Sequence, residues 1–277
     1  MRRDPVGPAP VNCVQDRARP SAYTGGMTDI AQDSKFRLKP IPLLVTAALG
    51  YAIPYGAAYA AAFAAKFVPA VDWRHSMLGW LYVHHGFQML LGLGVIAVLK
   101  YWLVPADYGL HAPRGKSYIV AALAWGVAFG ILMTVVDYFP QLVAASKPDP
   151  GFPLTTANVL GWTFFEGIYV GPTEEIPFRA LLVTYLAATM PGKLHIGRFH
   201  MNWAGIFVAV IFALLHAQNF STHNWPEALG QQIYAFALGV LYAYWLEKSK
   251  SVVAPIIGHN VGDVTEYLIL FAWAGLT

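Results

Sequence analysis

The sequence predicts an all-α membrane protein, a polytopic bundle of about seven transmembrane helices. Of its 277 residues, 57% are hydrophobic and only 12% are charged, whereas a soluble domain is nearer a quarter charged. Mean hydropathy is +0.47. Apolar stretches that span or nearly span a core needing about 20 residues cover 41–66, 77–104, 118–144, 154–190, 203–217, 229–246 and 252–276. Eight helices result if 154–190, which Pro172 and Pro177 interrupt, forms two pieces.

The distribution of basic residues predicts the orientation of these spans. With the N-terminus inside, the N-terminal tail and the inner segments hold fourteen Lys and Arg residues, whereas the outer segments hold three. The outer three are Lys66, Arg74 and Lys147. Cytoplasmic segments carry this excess of positive charge, so we expect a multi-pass protein of the cell membrane with a cytoplasmic N-terminus.

Residues 1–38 are polar, rich in Pro, Arg and Asp, and have no apolar period. This composition predicts a disordered cytoplasmic tail, followed by a transmembrane domain over 39–277. Met27 is an alternative start. The single cysteine, Cys13, excludes an internal disulfide framework and a multi-cysteine zinc site. The small net charge of +3 indicates no nucleic-acid surface, so the lipid bilayer is the expected partner at this point.

The stretch "GPTEEIPFRALL" (171–182) places three ionisable groups inside an apolar region. A charge at mid-membrane costs at least ~2.5 kcal/mol on insertion scales, and such groups persist where they pair, line a wet cavity or have a function. Glu175 and Arg179 are four residues apart, so they predict an ion pair on one helical face. Glu174 is rotated by roughly 100° from Glu175. Two interpretations follow. Either the Glu175–Arg179 pair only stabilises the helix and Glu174 is an extra acid, or Glu174 is a reactive carboxylate and the pair holds it in position.

Two later segments carry further polar groups in apolar spans. In "FALLHAQN", Phe212 and His216 share a helical face, and in "APIIGHNVGDVTEY" His259 and Asp263 do so. Each alone can be a buried packing residue. With a rise of 1.5 Å per residue, however, Glu174, His216, Asp263 and His259 lie roughly 24, 20, 16 and 10 Å from the inner ends of their spans. One broad layer holds all of them, which favours a shared site.

These motifs, taken together and in this order, resemble the CPBP family of CAAX proteases and bacteriocin-processing enzymes, also called the Abi family. They are Glu174-Glu175-x-x-x-Arg179, Phe212-x-x-x-His216 and His259-x-x-x-Asp263. The inner loop "DYGLHAPRGK" and the approach to the last motif are also similar. The resemblance is specific over about 160–265 and implies a catalytic core at about 154–270.

The resemblance implies an intramembrane endopeptidase, similar to the type II CAAX prenyl proteases, with a membrane-anchored protein or peptide as substrate. By position, Glu174 and His216 would activate a water, and His259 with Asp263 would stabilise the oxyanion. Glu175 and Arg179 would support the site, together with Phe212. Peptide hydrolysis needs such a base for water and such donors for the developing oxyanion.

Three positions depart from the family pattern. Asp263 stands where the best-studied CAAX enzymes have Asn, although the family accepts either residue. An ionised aspartate would repel an oxyanion, so Asp263 must be protonated, paired with His259 or bound to a metal. Pro177 lies within the first motif, where it cannot donate to the carbonyl of Thr173 and should kink the helix. Ala180 follows Arg179 where Gly is usual.

Several alternatives stay open at this point. No cofactor is expected, but Glu174, His216, His259 and Asp263 could instead bind zinc or another divalent metal. Buried acids and histidines also suit a proton-coupled transporter, whose further candidates are Asp137, Glu166, His84, His85 and Gln88. A third alternative is a catalytically silent family member that binds a partner or confers bacteriocin immunity. The sequence fixes neither the substrate nor the oligomeric state.

Overall fold

A computed structural model describes residues 37–197 and 199–276. Most of these residues are helical. Residues 1–36 of the predicted tail, which include Cys13 and the alternative start at Met27, lie outside the described residues. The ten α-helices of the described part are α1 (Pro40–Ala64), α2 (Met77–Val98), α3 (Ile119–Asp137), α4 (Phe139–Val143), α5 (Thr156–Phe164), α6 (Val170–Glu175), α7 (Thr184–Thr189), α8 (Trp203–Leu215), α9 (Trp225–Ser249) and α10 (Val253–Leu276).

Wider π-helical or tighter 3₁₀ turns extend or join several of these helices. The π-helical segments are Leu99–Leu103 after α2, Phe165–Tyr169 between α5 and α6, and Ile176–Val183 between α6 and α7. The 3₁₀ segments are Pro69–Val71 and His216–Ser221. As a result, 156–189 is one continuous helical path in which two wider segments interrupt the α-helix. Pro177 lies at the start of the second wide segment, where its missing N–H interrupts the α-helical hydrogen bonds.

Each of the seven apolar stretches coincides with a helical segment, so the chain is a helical membrane protein. Within the described residues, four segments are long and apolar enough to cross a membrane by length and composition: Pro40–Ala64, Met77–Leu103, Ile119–Asp137 and Trp203–Ser221. The other three contain the buried ionisable groups or, in α9, many Trp, Tyr and Gln side chains. A total of seven or eight spans stays a prediction.

A β-hairpin interrupts the all-α pattern that the sequence predicts. Strands β1 (Lys193–Ile196) and β2 (Phe199–Asn202) pair antiparallel, with Lys193 opposite Asn202. Gly197 in the connection has φ +58°, a left-handed conformation that glycine adopts without steric cost. Met201 of β2 is buried and anchors the hairpin. Four-residue strands carry too little periodicity to be recognised beside long apolar helices.

The segments assigned to the inner side lie together at one end of the bundle. The Lys39 ammonium donates to the carbonyl of Thr189 at 2.8 Å, which joins the start of α1 to the end of α7. The backbone N–H of Asn202 in the hairpin donates to Glu247 of α9 at 2.5 Å. In the same region, Val252 N–H donates to the carbonyl of Gly109 at 3.0 Å. One end of the bundle therefore collects the basic segments.

The loop between α2 and α3 is organised by one carboxylate at this end. Asp107 accepts hydrogen bonds from His111 at 3.0 Å, from Arg114 at 2.9 Å and from the N–H of Gly109 at 3.1 Å. Burial raises the pKa of Asp107, but the hydrogen bonds from His111 and Gly109 and the charges of His111 and Arg114 outweigh it and leave the pKa below its ordinary value. Asp107 is therefore ionised at neutral pH and holds the residues of this loop together.

Helix α10 packs closely against α3 because small residues face each other. An added Cβ at Gly126 would lie 2.9 Å from the carbonyl oxygen of Gly258, and one at Gly130 would collide with the carbonyl oxygen of Gly262. Glycines four residues apart allow such close contact between membrane helices. Since α10 carries His259 and Asp263, this contact fixes the position of the last motif.

The Gly130→Ala substitution should therefore destabilise the bundle. The new methyl group meets backbone of α10, which cannot move away cheaply, and overpacking of this kind costs about 1–3 kcal/mol. Thermal unfolding in detergent should show a lower midpoint for Gly130→Ala than for the unmodified protein. Gly94→Ala is the matched control, because nothing lies within 4 Å of a Cβ at Gly94. Equal midpoints for the two variants would contradict the proposed close contact.

Candidate active site

The two adjacent glutamates lie at the end of α6, with their side chains on different sides of the helix. Glu175 is fully buried, with no exposed side-chain area. The Glu174 side chain is 19% exposed and lines a cavity. The rotation between neighbours on a helix therefore gives the two acids different surroundings.

Glu175 is held by two basic groups from different parts of the chain. Its Oε2 lies 3.1 Å from Nε of Arg179, and its Oε1 lies 2.7 Å from Nδ1 of His259. The contact with Arg179 is an ion pair, but its angle is too bent for a hydrogen bond, since Oε2 has no hydrogen-bond partner in the described structure. The structure contains the ion pair that the spacing predicts, and adds His259 to it.

Arg179 lies between aromatic faces from two other helices. Its guanidinium carbon is 4.2 Å from the ring centroid of Phe212 on α8 and 5.5 Å from that of Tyr242 on α9. Among the described residues, its two terminal nitrogens have no hydrogen-bond partner. Attraction between the cation and the aromatic faces, which is strongest when the groups are desolvated, stabilises the guanidinium charge instead of hydrogen bonds to these nitrogens. Phe212 thus contacts the Arg179 cation directly.

His259 joins three carboxylates. Nδ1 contacts Glu175, while Nε2 lies 3.1 Å from Oδ2 of Asp263 and 3.8 Å from Oε2 of Glu174. Its ring also stacks on Tyr242, with centroids 6.0 Å apart. Because both nitrogens face carboxylate oxygens, only the doubly protonated ring can donate to Glu175 and Asp263 at once. His259 can therefore supply a positive charge beside Glu174.

His216 follows α8 as the first residue of the 3₁₀ segment. Its Nδ1 lies 2.9 Å from the carbonyl oxygen of Phe212. A carbonyl can only accept, so this nitrogen carries a proton and, in the neutral ring, Nε2 is the acceptor. The ring packs against Phe212 with centroids 5.1 Å apart. His216 lines the same cavity as Glu174 and is close enough to interact with it electrostatically.

The cavity has a volume of about 330 Å³ and lies between α1, α2 and the ends of α6 and α8. It is lined by Glu174 and His216, together with aromatic and polar side chains that include Tyr55, Trp80, His84, His85 and Gln88. His259 and Asp263 are not part of this lining. The four catalytic candidates therefore form two sets, a pair at the cavity wall and a pair behind Glu174.

The residues that suited a transporter divide between two places. His84, His85 and Gln88 line the cavity. Asp137 accepts a hydrogen bond from Tyr234 at 2.9 Å, and Glu166 is buried on the wide segment before α6. Asp137 and Glu166 do not line the cavity.

Asn260 is a site residue that the motifs did not single out. Its Oδ1 accepts from the N–H of Gly171 at 2.7 Å, and its Nδ2 donates to the carbonyl of Ile168 at 3.2 Å. It therefore fastens α10 to the helix that carries both glutamates. The only signal in the sequence is a second polar residue beside His259 in an apolar span.

Glu174, His216, His259 and Asp263, the possible metal ligands, do not converge on one point. In residues 37–197 and 199–276, no group of three or more His, Cys, Asp or Glu side chains has an arrangement that could hold a metal ion. Metal sites need ligands converging at fixed distances. Here Glu174 and His216 face the cavity, whereas His259 is engaged by Glu175 and Asp263. The arrangement does not fit a resident metal.

Comparison with known proteins gives one family match, which covers the residues of the candidate site. Residues 156–265 match the family described as type II CAAX prenyl endopeptidase Rce1-like. No curated protein and no solved structure matches the chain. The matched segment runs from the first residue of α5 into α10 and contains all three motifs, so the resemblance stated from those motifs is confirmed. Residues 156–265 are therefore similar to the Rce1-like type II CAAX prenyl endopeptidases, which are a family of peptidases.

Proposed function

We propose that this protein is an intramembrane endopeptidase that hydrolyses a peptide bond with a water activated by Glu174 and His216. One observation carries the proposal: of two adjacent glutamates, Glu175 is engaged by Arg179 and His259, while Glu174 faces the cavity that His216 also lines. Glu174 thus has a carboxylate available to a reactant, in a place that a reactant can enter.

The chemical steps follow from these positions. A water in the cavity gives a proton to Glu174 while the water oxygen attacks the scissile carbonyl carbon. The tetrahedral intermediate carries the charge on the former carbonyl oxygen. When it collapses, the carbon–nitrogen bond breaks and the proton passes from Glu174 to the leaving amine. The unprotonated Nε2 of His216 can accept the second hydrogen of the water and orient it.

The resemblance assigns the oxyanion to His259 and Asp263, and the distances set a condition on this role. Nε2 of His259 already lies 3.1 Å from Asp263 and outside the cavity lining. To donate to an oxyanion, His259 must turn away from Asp263 when substrate binds. Catalytic hydrogen bonds often tighten only in the complex with substrate, so we keep His259 as the donor and Asp263 as its partner.

The proposed substrate is a membrane-anchored protein or peptide, and the family description suggests a prenylated CAAX sequence. The cavity wall combines Tyr55 and Trp80 with the polar groups, which suits a peptide that enters from an apolar surrounding. No resident cofactor is part of the proposal.

We also propose a multi-pass location in the cell membrane with a cytoplasmic N-terminus. The clustering of Lys39, the Asp107 loop and the hairpin at one end of the bundle supports this orientation, because cytoplasmic segments are rich in basic residues. Reporter fusions in the hairpin and in the Pro69–Val71 segment should report opposite sides of the membrane. The same side for both would refute the orientation.

Glu174→Gln should abolish most hydrolysis while leaving the fold intact. The amide is nearly the same size but cannot take the proton, and loss of a general base lowers the rate by about 10²–10⁴-fold. Cleavage of a fluorogenic prenylated CAAX peptide by purified protein, followed together with its binding, measures both effects. Glu227→Gln, at the start of α9 and away from the cavity, is the matched control and should cleave normally. Unchanged cleavage by both Glu174→Gln and His216→Ala would refute the mechanism.

Asp263→Asn should keep most of the activity. Asn still presents an oxygen to Nε2 of His259 while removing a negative charge that would repel the oxyanion, and it restores the residue of related enzymes. Turnover and its response to a chelator should be measured on the same preparations. Loss of turnover in Asp263→Asn, together with inhibition of the unmodified protein by the chelator, would instead support a metal ligand at this position.

A further inference from the structure

Helix α2 lies outside the matched segment, yet it presents polar side chains to the helix that carries Glu174. His85, Gln88 and Gly92 are spaced three and four residues apart, so they share one face of α2. His85 is 7% exposed and Gln88 3% exposed. Buried polar groups require partners, and for both residues a partner is Thr173, the neighbour of Glu174.

Gln88 replaces a hydrogen bond that Pro177 cannot make. In an α-helix the carbonyl of Thr173 would accept from the N–H of residue 177, but proline has none. The side-chain amide of Gln88 donates to this carbonyl at 3.1 Å. A side chain of α2 therefore satisfies the carbonyl that Pro177 leaves without its helical donor, beside the two glutamates.

Gly92 allows α2 to reach the kink. A Cβ added at Gly92 would lie 3.2 Å from Cβ and 3.3 Å from Cα of Pro177, which is tighter than ordinary van der Waals contact. The backbone of α2 thus rests directly on Pro177, one turn from the amide of Gln88. This contact keeps Gln88 within reach of the Thr173 carbonyl.

His85 holds the other polar group of Thr173. The Thr173 hydroxyl donates its only hydrogen to the carbonyl of Val170 at 2.7 Å, so its oxygen can only accept from Nδ1 of His85, 3.1 Å away. This fixes the proton of neutral His85 on Nδ1. The same nitrogen lies 3.8 Å from Oε1 of Glu174.

We propose that His85 and Gln88 are positioning residues that act through Thr173 to direct the Glu174 carboxylate into the cavity. This pair, called the α2 clamp below, contacts the hydroxyl and the backbone carbonyl of the residue before Glu174. The proposal rests on the proposed function, since it assigns the clamp the task of aiming the general base. A purely structural pair would stabilise the bundle without affecting where Glu174 points.

The α2 clamp should affect turnover more than substrate binding. A displacement of about 1 Å in a reacting group can reduce a rate on the order of 10²-fold. With a prenylated CAAX peptide as the probe, Gln88→Met should lower kcat by that order and leave KM nearly unchanged. Leu90→Ala, on the same helix but at an exposed position, is the control and should keep both constants.

Two substitutions at position 85 distinguish a positioning role from direct contact with substrate. Asn places its side-chain N–H near the position of Nδ1, whereas Gln places it near that of Nε2. We expect His85→Asn to keep most of the turnover and His85→Gln to lose it on the order of 10²-fold. The opposite order would overturn the proposal and make Nε2 of His85 a group that contacts substrate.

A labelling experiment tests the α2 clamp independently of any peptidase activity. In a Cys13→Ser background, Glu174→Cys leaves one cysteine, and N-ethylmaleimide should label it through the cavity. Adding Gln88→Met or His85→Gln should cause a loss of labelling in folded protein, whereas adding Leu90→Ala should not. Unchanged labelling would overturn the clamp. If labelling responds as expected but the unmodified protein cleaves no prenylated peptide, the proposed function fails and the clamp stands.

Discussion

The site depends on one buried carboxylate, that of Glu175, which faces Arg179 on one side and His259 on the other. An unpaired charge in this interior would be very costly, and breaking a buried pair typically costs about 3–5 kcal/mol. Phe212 and Tyr242 complete the arrangement by covering the guanidinium. Helices α8, α9 and α10 and the helix of the glutamates thereby meet at a single group. Glu174, one residue away, is left without a hydrogen-bonded cation and faces the cavity.

The sequence predicts the parts of this arrangement that depend on spacing within one helix. Glu175 with Arg179, and His259 with Asp263, are four residues apart, and both contacts are present at 3.1 Å. Helical periodicity decides such pairs before any tertiary structure is known. The helical character of the seven apolar stretches follows in the same way, because long apolar runs must satisfy their own backbone hydrogen bonds in a membrane.

The sequence does not predict the contacts between helices. The bond from His259 to Glu175 joins residues 84 positions apart, and nothing in either motif specifies it. The role of Gln88 becomes visible only in the structure, where its amide donates to the Thr173 carbonyl that Pro177 leaves without a donor. The positions of the wide π-helical segments depend on how the helices pack, so the sequence does not predict them either. The sequence therefore predicts the candidate reactive groups, whereas the packing decides that Glu174 and His216 face the cavity while His259 lies behind them.

A double-mutant cycle on Glu175 and Arg179 tests most directly whether this ion pair organises the site. Glu175→Gln, Arg179→Met and the double variant should be compared with the unmodified protein by thermal unfolding in detergent, with Glu174→Gln measured alongside. Glu175→Gln leaves the buried Arg179 cation without its carboxylate, and Arg179→Met leaves Glu175 with His259 as its remaining cation. Both single variants should therefore lose stability, and the double variant should lose much less than their sum. Glu174→Gln should unfold like the unmodified protein. Additive losses in the cycle, or a larger loss for Glu174→Gln than for Glu175→Gln, would contradict the account.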